Sequence, residues 1–203
     1  MPTGQIAATA SIAGISIQSV TQRVASGQLS HEVTLPKADA GTLTTRTDDT
    51  DGELTMADAG HGITTGDQID IFHDGGVSYG ATAGTVAGTT VPFTGAGGAV
   101  LPAEDDPITA DVQVEVDVDF DGDKAEMVIV MATLRGHVIW IDTGASTLDA
   151  SQLTATEPWQ WIAGQGVTNP LLAGNPVDKV FLSNGDAVNA ATLKIAALYN
   201  SDQ

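Results

Sequence analysis

A chain of 203 residues with 26 acidic and only 7 basic side chains carries a formal net charge of −19 at pH 7. Such a surface repels a phosphate backbone, and Arg23, Lys37, Arg46, Lys124, Arg135, Lys179 and Lys194 form no basic run, so sequence-specific nucleic-acid binding is not expected. Cysteine is absent, which removes disulfides and thiolate metal sites. No window nears the ~18 apolar residues of a bilayer-spanning helix, and MPTGQIAATASIAG lacks the basic and apolar regions of a secretory signal. A soluble or assembly-bound protein with no membrane partner is expected.

Residues 1–29 read as an N-terminal arm or strand. Ile15 and Ile17 alternate with Ser16 and Gln18, while β-branched residues and the glycines Gly14 and Gly27 disfavour a helix. From residue 30 to 107 the texture changes to short apolar pulses: 31–35, 41–47, 52–56, 67–72, 77–82, 84–88 and 89–93. Pro36, Asp51-Gly52, Gly60, Gly66-Asp67, Gly75-Gly76 and Gly95 to Gly98 punctuate them as turns. Many short strands at this spacing predict a small curled barrel or sandwich, ending near LPAEDDP at 101–107. Neither glycine cluster leads into a helix or a Gly-Lys-Ser/Thr ending, so they read as tight corners and not as a phosphate cradle.

The third segment, 108–203, states its strand character most openly. Val112, Val114, Val116, Val118 and Phe120 alternate with Asp111, Glu115, Asp117, Asp119 and Asp121, the period of a strand with one buried and one wet face. Asp121-Gly122 supplies a turn, and the apolar run Met127 to Met131 returns, which predicts a long antiparallel hairpin. His137 to Ile141 would add a third strand of a meander. Further on come a strand at 177–182, an Asn184-Gly185 turn, and a closing strand with Leu193, Ile195, Ala197 and Tyr199 on one side, a short helix being the alternative in this Ala-rich context. The expected fold class is all-β: a barrel or sandwich module followed by a second antiparallel β module with a long hairpin.

Candidate chemistry is sparse. Asp117, Asp119 and Asp121 followed by Gly122, then Asp123, begin like a calcium-binding loop, since hard cations take several carboxylate oxygens from one loop. The twelfth position is Val128 where that loop has a bidentate Glu, and the flanks read as strands. A calcium site and a merely solvated hairpin face therefore stand side by side, and Asp48 to Glu53 invites the same comparison. Asp142-Thr143-Gly144 resembles the catalytic triplet of aspartic proteases, but occurs once where two are needed. His61 and His73 stand where they could approach on one barrel rim, yet no third ligand is spaced for zinc and no G-x-S-x-G elbow occurs. No enzymatic activity and no resident cofactor other than calcium are expected. Trp159 and Trp161, in PWQW, share a strand face and are the candidate interface residues, with a glycan-stacking platform as the other use.

The cysteine-free, Ala-, Gly- and Thr-rich composition, the segment TLTTRTDDTDGELTMADAGHGITTGDQIDIFHDGG and the tail VFLSNGDAVNAATLKIAALY together resemble virion structural proteins of tailed double-stranded DNA bacteriophages. The resemblance covers most of the chain in texture and carries over no functional residue. It implies a structural component of a symmetric particle, in the capsid as head decoration or in the tail, with a homo-oligomer and other virion proteins as partners. The other class is an extracellular or cell-surface module binding glycan or calcium.

Overall fold

The computed structural model describes residues 11–12, 15–16, 27–117, 125–132, 139–142, 151–153, 159–162 and 179–199, with side chains for 30–117 and 181–197. Among the described residues every regular element is a strand. Two short strands, β1 (Ser11–Ile12) and β2 (Ile15–Ser16), pair antiparallel, and β3 (Gly27–Leu35) follows. Next come β4 (Asp39–Arg46), β5 (Gly52–Met56), β6 (Gln68–His73), β7 (Gly76–Ala83), β8 (Thr90–Thr94), β9 (Gly97–Gly98) and β10 (Pro107–Val112). The remainder supplies β11 (Val114–Asp117), β12 (Ala125–Ala132), β13 (Ile139–Asp142), β14 (Ser151–Leu153), β15 (Trp159–Ile162), β16 (Lys179–Asn184) and β17 (Ala191–Tyr199).

The strands β6-β10-β4-β5-β8-β7 follow one another side by side, and β7 returns to β6, closing an antiparallel barrel of six strands. Closure removes the edges of that sheet and turns one face into an enclosed core. Strict alternation does the filling: in β5, Gly52, Leu54 and Met56 are buried while Glu53 and Thr55 lie between them. Val91 and Phe93 of β8, Ile69 and Ile71 of β6 and Leu43 of β4 meet them inside. Small inward residues let so narrow a barrel close; a Cβ on Gly52 would lie 2.4 Å from the Thr45 carbonyl oxygen. Register shifts between Leu43 and Thr45 and between Ile69 and Ile71 bend the staves further.

Outside the barrel are two four-stranded sheets, β11-β16-β13-β14 and β15-β12-β17-β3. In the second, β3 pairs along its full length with β17, from Leu35 opposite Ala191 to Gly27 opposite Tyr199. The expected closing strand is therefore observed, with Leu193, Ile195 and Ala197 buried and Lys194 exposed.

The structure differs from the sequence reading in four places. The predicted long hairpin is not formed: β11 pairs with β16, whereas β12 pairs with β15 and β17, so the strands flanking the acidic turn belong to different sheets. The predicted meander fails likewise, because β13 lies between β16 and β14. Pulse 84–88 is a turn held by an Ala87–Thr90 bridge. Finally, the barrel runs from Asp39 to Val112, so the expected 30–107 module differs at both ends: β3 lies outside it and β10 inside.

Candidate functional site

The most concentrated group of buried polar side chains lies on the outside of the barrel wall. In β6, Ile69 and Ile71 point inward, so Asp70 points outward. In β10, Ala110 is inward and Asp111 outward, and the register sets Asp111 directly opposite Asp70. Two carboxylates thus face the same way on adjacent strands, yet they are only 1% and 6% exposed. The cover comes from β16 and the turn after it.

Asp70 is tied by a break in the ladder. Ile69 pairs with Ala81 and Ile71 with Ser78, leaving two residues of β7, Tyr79 and Gly80, opposite Asp70 alone. Gly80 takes a positive φ of 65°, which a glycine accommodates at such a bulge. Its N–H donates to Asp70 Oδ1 at 2.8 Å, as does Gln113 Nε2 at 2.8 Å, and Ser183 Oγ donates to Oδ2 at 2.5 Å. On Asp111, Oδ2 accepts the Asn184 N–H at 2.8 Å. Burial pushes both carboxyls above the ordinary range; for Asp111 burial, outweighing the N–H bonds from Asn184 and Val112 and reinforced by Asp70 and Asp39, pushes the value up to about 7.

The covering turn is itself locked. Asn184 Nδ2 donates to the carbonyls of Pro36 and Asn189, Asn184 Oδ1 accepts from the Asp186 N–H, and the Ala38 N–H donates to the Asp186 carbonyl. Thr109 Oγ1 reaches the Gly185 carbonyl at 3.0 Å, and the Phe72 ring packs where a Gly185 side chain would sit. One asparagine therefore joins the β3–β4 connection, the β16–β17 turn and the barrel wall. The arrangement holds two carboxyls and several main-chain contacts in a place closed to solvent; it fastens two parts of the fold.

The histidines occupy separate places, correcting the expectation that they approach each other. His61 bonds the Gly88 carbonyl and the Ile63 N–H. His73 accepts from the Gly75 N–H through Nδ1; because Ser78 Oγ already donates to the Ala99 carbonyl, His73 Nε2 must donate to Ser78. Burial lowers the His73 pKa, consistent with that uncharged form. The acidic turn at 48–53 is filled by its own chain: Asp48 Oδ1 accepts the N–H groups of Thr50 and Asp51, Arg46 pairs with Asp49, and Asp51 Oδ1 accepts the Gly95 N–H.

Of the calcium candidates, Asp117 ends β11, exposed, with Lys179 opposite it in register. Asp119, Asp121 and Asp123 lie outside the described residues, as do Thr143 and Gly144. Among the described residues no three His, Asp or Glu groups are placed to hold a metal. Trp159 and Trp161 lie on β15, an outer strand, in the register rows of Val130 with Ile195 and of Val128 with Ala197. In those rows Ile195 and Ala197 of β17 are buried.

The alternation reading placed Asp111 in water; it points away from the barrel core, as alternation requires, but that face is covered. Sequence reasoning missed Asp70, Gln113 and Ser183, and read Asn184 only as part of a turn. No protein-family model, curated protein or solved structure matches this chain.

Proposed function

We propose that this chain is a non-enzymatic structural subunit of a tailed-bacteriophage particle, present in many symmetric copies as head decoration or tail component. The observation that carries the reading is the pair of open sheets beside the closed barrel. Their outer strands, β3, β15, β11 and β14, have no further partner among the described residues. Unpaired edges template pairing with another chain, and a symmetric assembly supplies that chain in fixed geometry. The strand β3 suits this use best: it is nine residues long, with Ser30, Glu32 and Thr34 exposed. The texture of the sequence, described above, is what attaches the assembly to a phage particle, and the acidic surface suits a lumen or shell that does not grip DNA.

The test is light-scattering mass across concentration, with calcium and with chelator, for the wild type and the double variant Ser30→Lys/Thr34→Lys, since lysines on an edge discourage pairing. Expected are large oligomers indifferent to calcium, reduced in the variant while its melting temperature is kept. A monomer at every concentration, stabilised by calcium and losing that response in Asp117→Asn/Asp119→Asn, refutes the proposal in favour of a surface-binding module.

A further inference from the structure

The covered carboxylate pair has the geometry of a switch. Asp70 and Asp111 are direct cross-strand partners, and such pairs hold their Cβ atoms about 4.5–5.5 Å apart. The charged groups acting on Asp111 are Asp70 from β6 and Asp39 from β4; His61, Lys37 and Asp58 act in turn on Asp39, and Asp186 stands in the covering turn. Asp186 is itself held by the N–H groups of Val188 and Asn189. The neighbourhood of the pair is therefore acidic, and water is kept out by residues 183–185.

We propose that Asp70 and Asp111 form a proton-operated latch fastening the Ser183–Gly185 segment to the barrel wall, closed while the pair holds a proton and loosened when both carboxyls ionise. Two adjacent buried carboxylates cannot readily ionise together, and they lose and gain protons as a unit. The donors from Gly80, Gln113 and Ser183 ease a charge on Asp70, but burial outweighs them and raises its carboxyl as well, so the two groups act as one proton-holding unit. A second negative charge can be hydrated only by lifting the cover. That cover also bonds Pro36 and Ala38 at the end of β3, so opening it frees the connection between the barrel and the β3–β17 sheet. The elevated value of Asp111, about 7, puts the change near neutrality. The latch stands independently of the phage reading.

Amide hydrogen exchange on the full chain tests it, read at residues 183–186 from about pH 5 to about pH 8.5 and corrected for intrinsic rates. Protection there should fall about tenfold or more relative to the barrel-core amides of Leu54 and Ile71 in the wild type, and stay level in Asp111→Asn. A level wild-type profile, or the same fall in Asp111→Asn, overturns the latch. Should Asp111→Asn not fold, the carboxyl-carbon NMR titration of wild-type Asp111 decides: a midpoint near neutrality supports the latch, and one near an ordinary aspartate overturns it.

Discussion

Replacing Gly185 by alanine probes how tightly the β16–β17 turn is seated on the barrel. Gly185 does not use a left-handed backbone, so alanine is free of backbone strain there. Its methyl would instead lie 2.6 Å from Phe72 Cδ1 and 2.9 Å from two further ring atoms. Phe72 is only 7% exposed and has little room to turn. Overpacking of this kind costs about 1–3 kcal/mol, and displacing the turn endangers the Thr109–Gly185 hydrogen bond, about 1 kcal/mol more. The lower entropy of the unfolded alanine chain offsets about 0.4–1 kcal/mol. The net expectation is a loss of about 1–3 kcal/mol, or roughly 2–12 °C in melting temperature for a chain of this size. Urea unfolding followed by circular dichroism measures it, in a cycle with Phe72→Leu. Leucine should accept the added methyl, so the two changes should couple favourably by about 1 kcal/mol or more. A cost under about 0.5 kcal/mol together with no coupling would refute the packing argument.

Two further outcomes follow from the barrel and its wall. Because the folded-state value of Asp111 is raised from 3.8 to about 7, its contribution to stability is fully present below about pH 4 and is lost as pH rises toward 7. The loss is at most ~4 kcal/mol, so Asp111→Asn should be close to neutral at acid pH and stabilising by up to a few kcal/mol at about pH 8, measured as paired denaturation curves; an effect independent of pH would contradict this. Leu54→Ala, at a fully buried inward position of β5, should cost about 2–5 kcal/mol in the same assay, and a cost under about 1 would show the barrel interior to be loosely packed.

Local pattern carried the barrel well and the rest unevenly. GELTM reads as a strand from its alternation, and β5 occupies those same residues because Leu54 and Met56 fall on the enclosed side. Alternation records which side a residue takes; it records neither which strand lies beside it nor whether the outer side is wet. Val114 to Asp117 and Met127 to Met131 look like two arms of one hairpin, yet their partners, β16 for the first and β15 and β17 for the second, come from much later in the chain. Asp70 inside QIDIF has the period of an exposed residue, and what removes it from water is Ser183, far along the sequence. The Asn184-Gly185 turn was legible as a turn, whereas its role as the cover of two carboxylates depends on contacts that no short window contains.

The pairing of β3 with β17 constrains the order in which the molecule is made. The barrel strands are contiguous in sequence from β4 to β10, and even their longest-range pairing, β10 with β4, joins residues nearer in sequence than those of β3 and β17. Strand β3 emerges from the ribosome before any of them, but its partner β17 comes after all of them. Non-local pairings of this kind form slowly. During synthesis the barrel can thus be complete while nine-residue β3 still lacks β17 beside it, making the nascent chain most prone to misassociation in the interval before β17 appears.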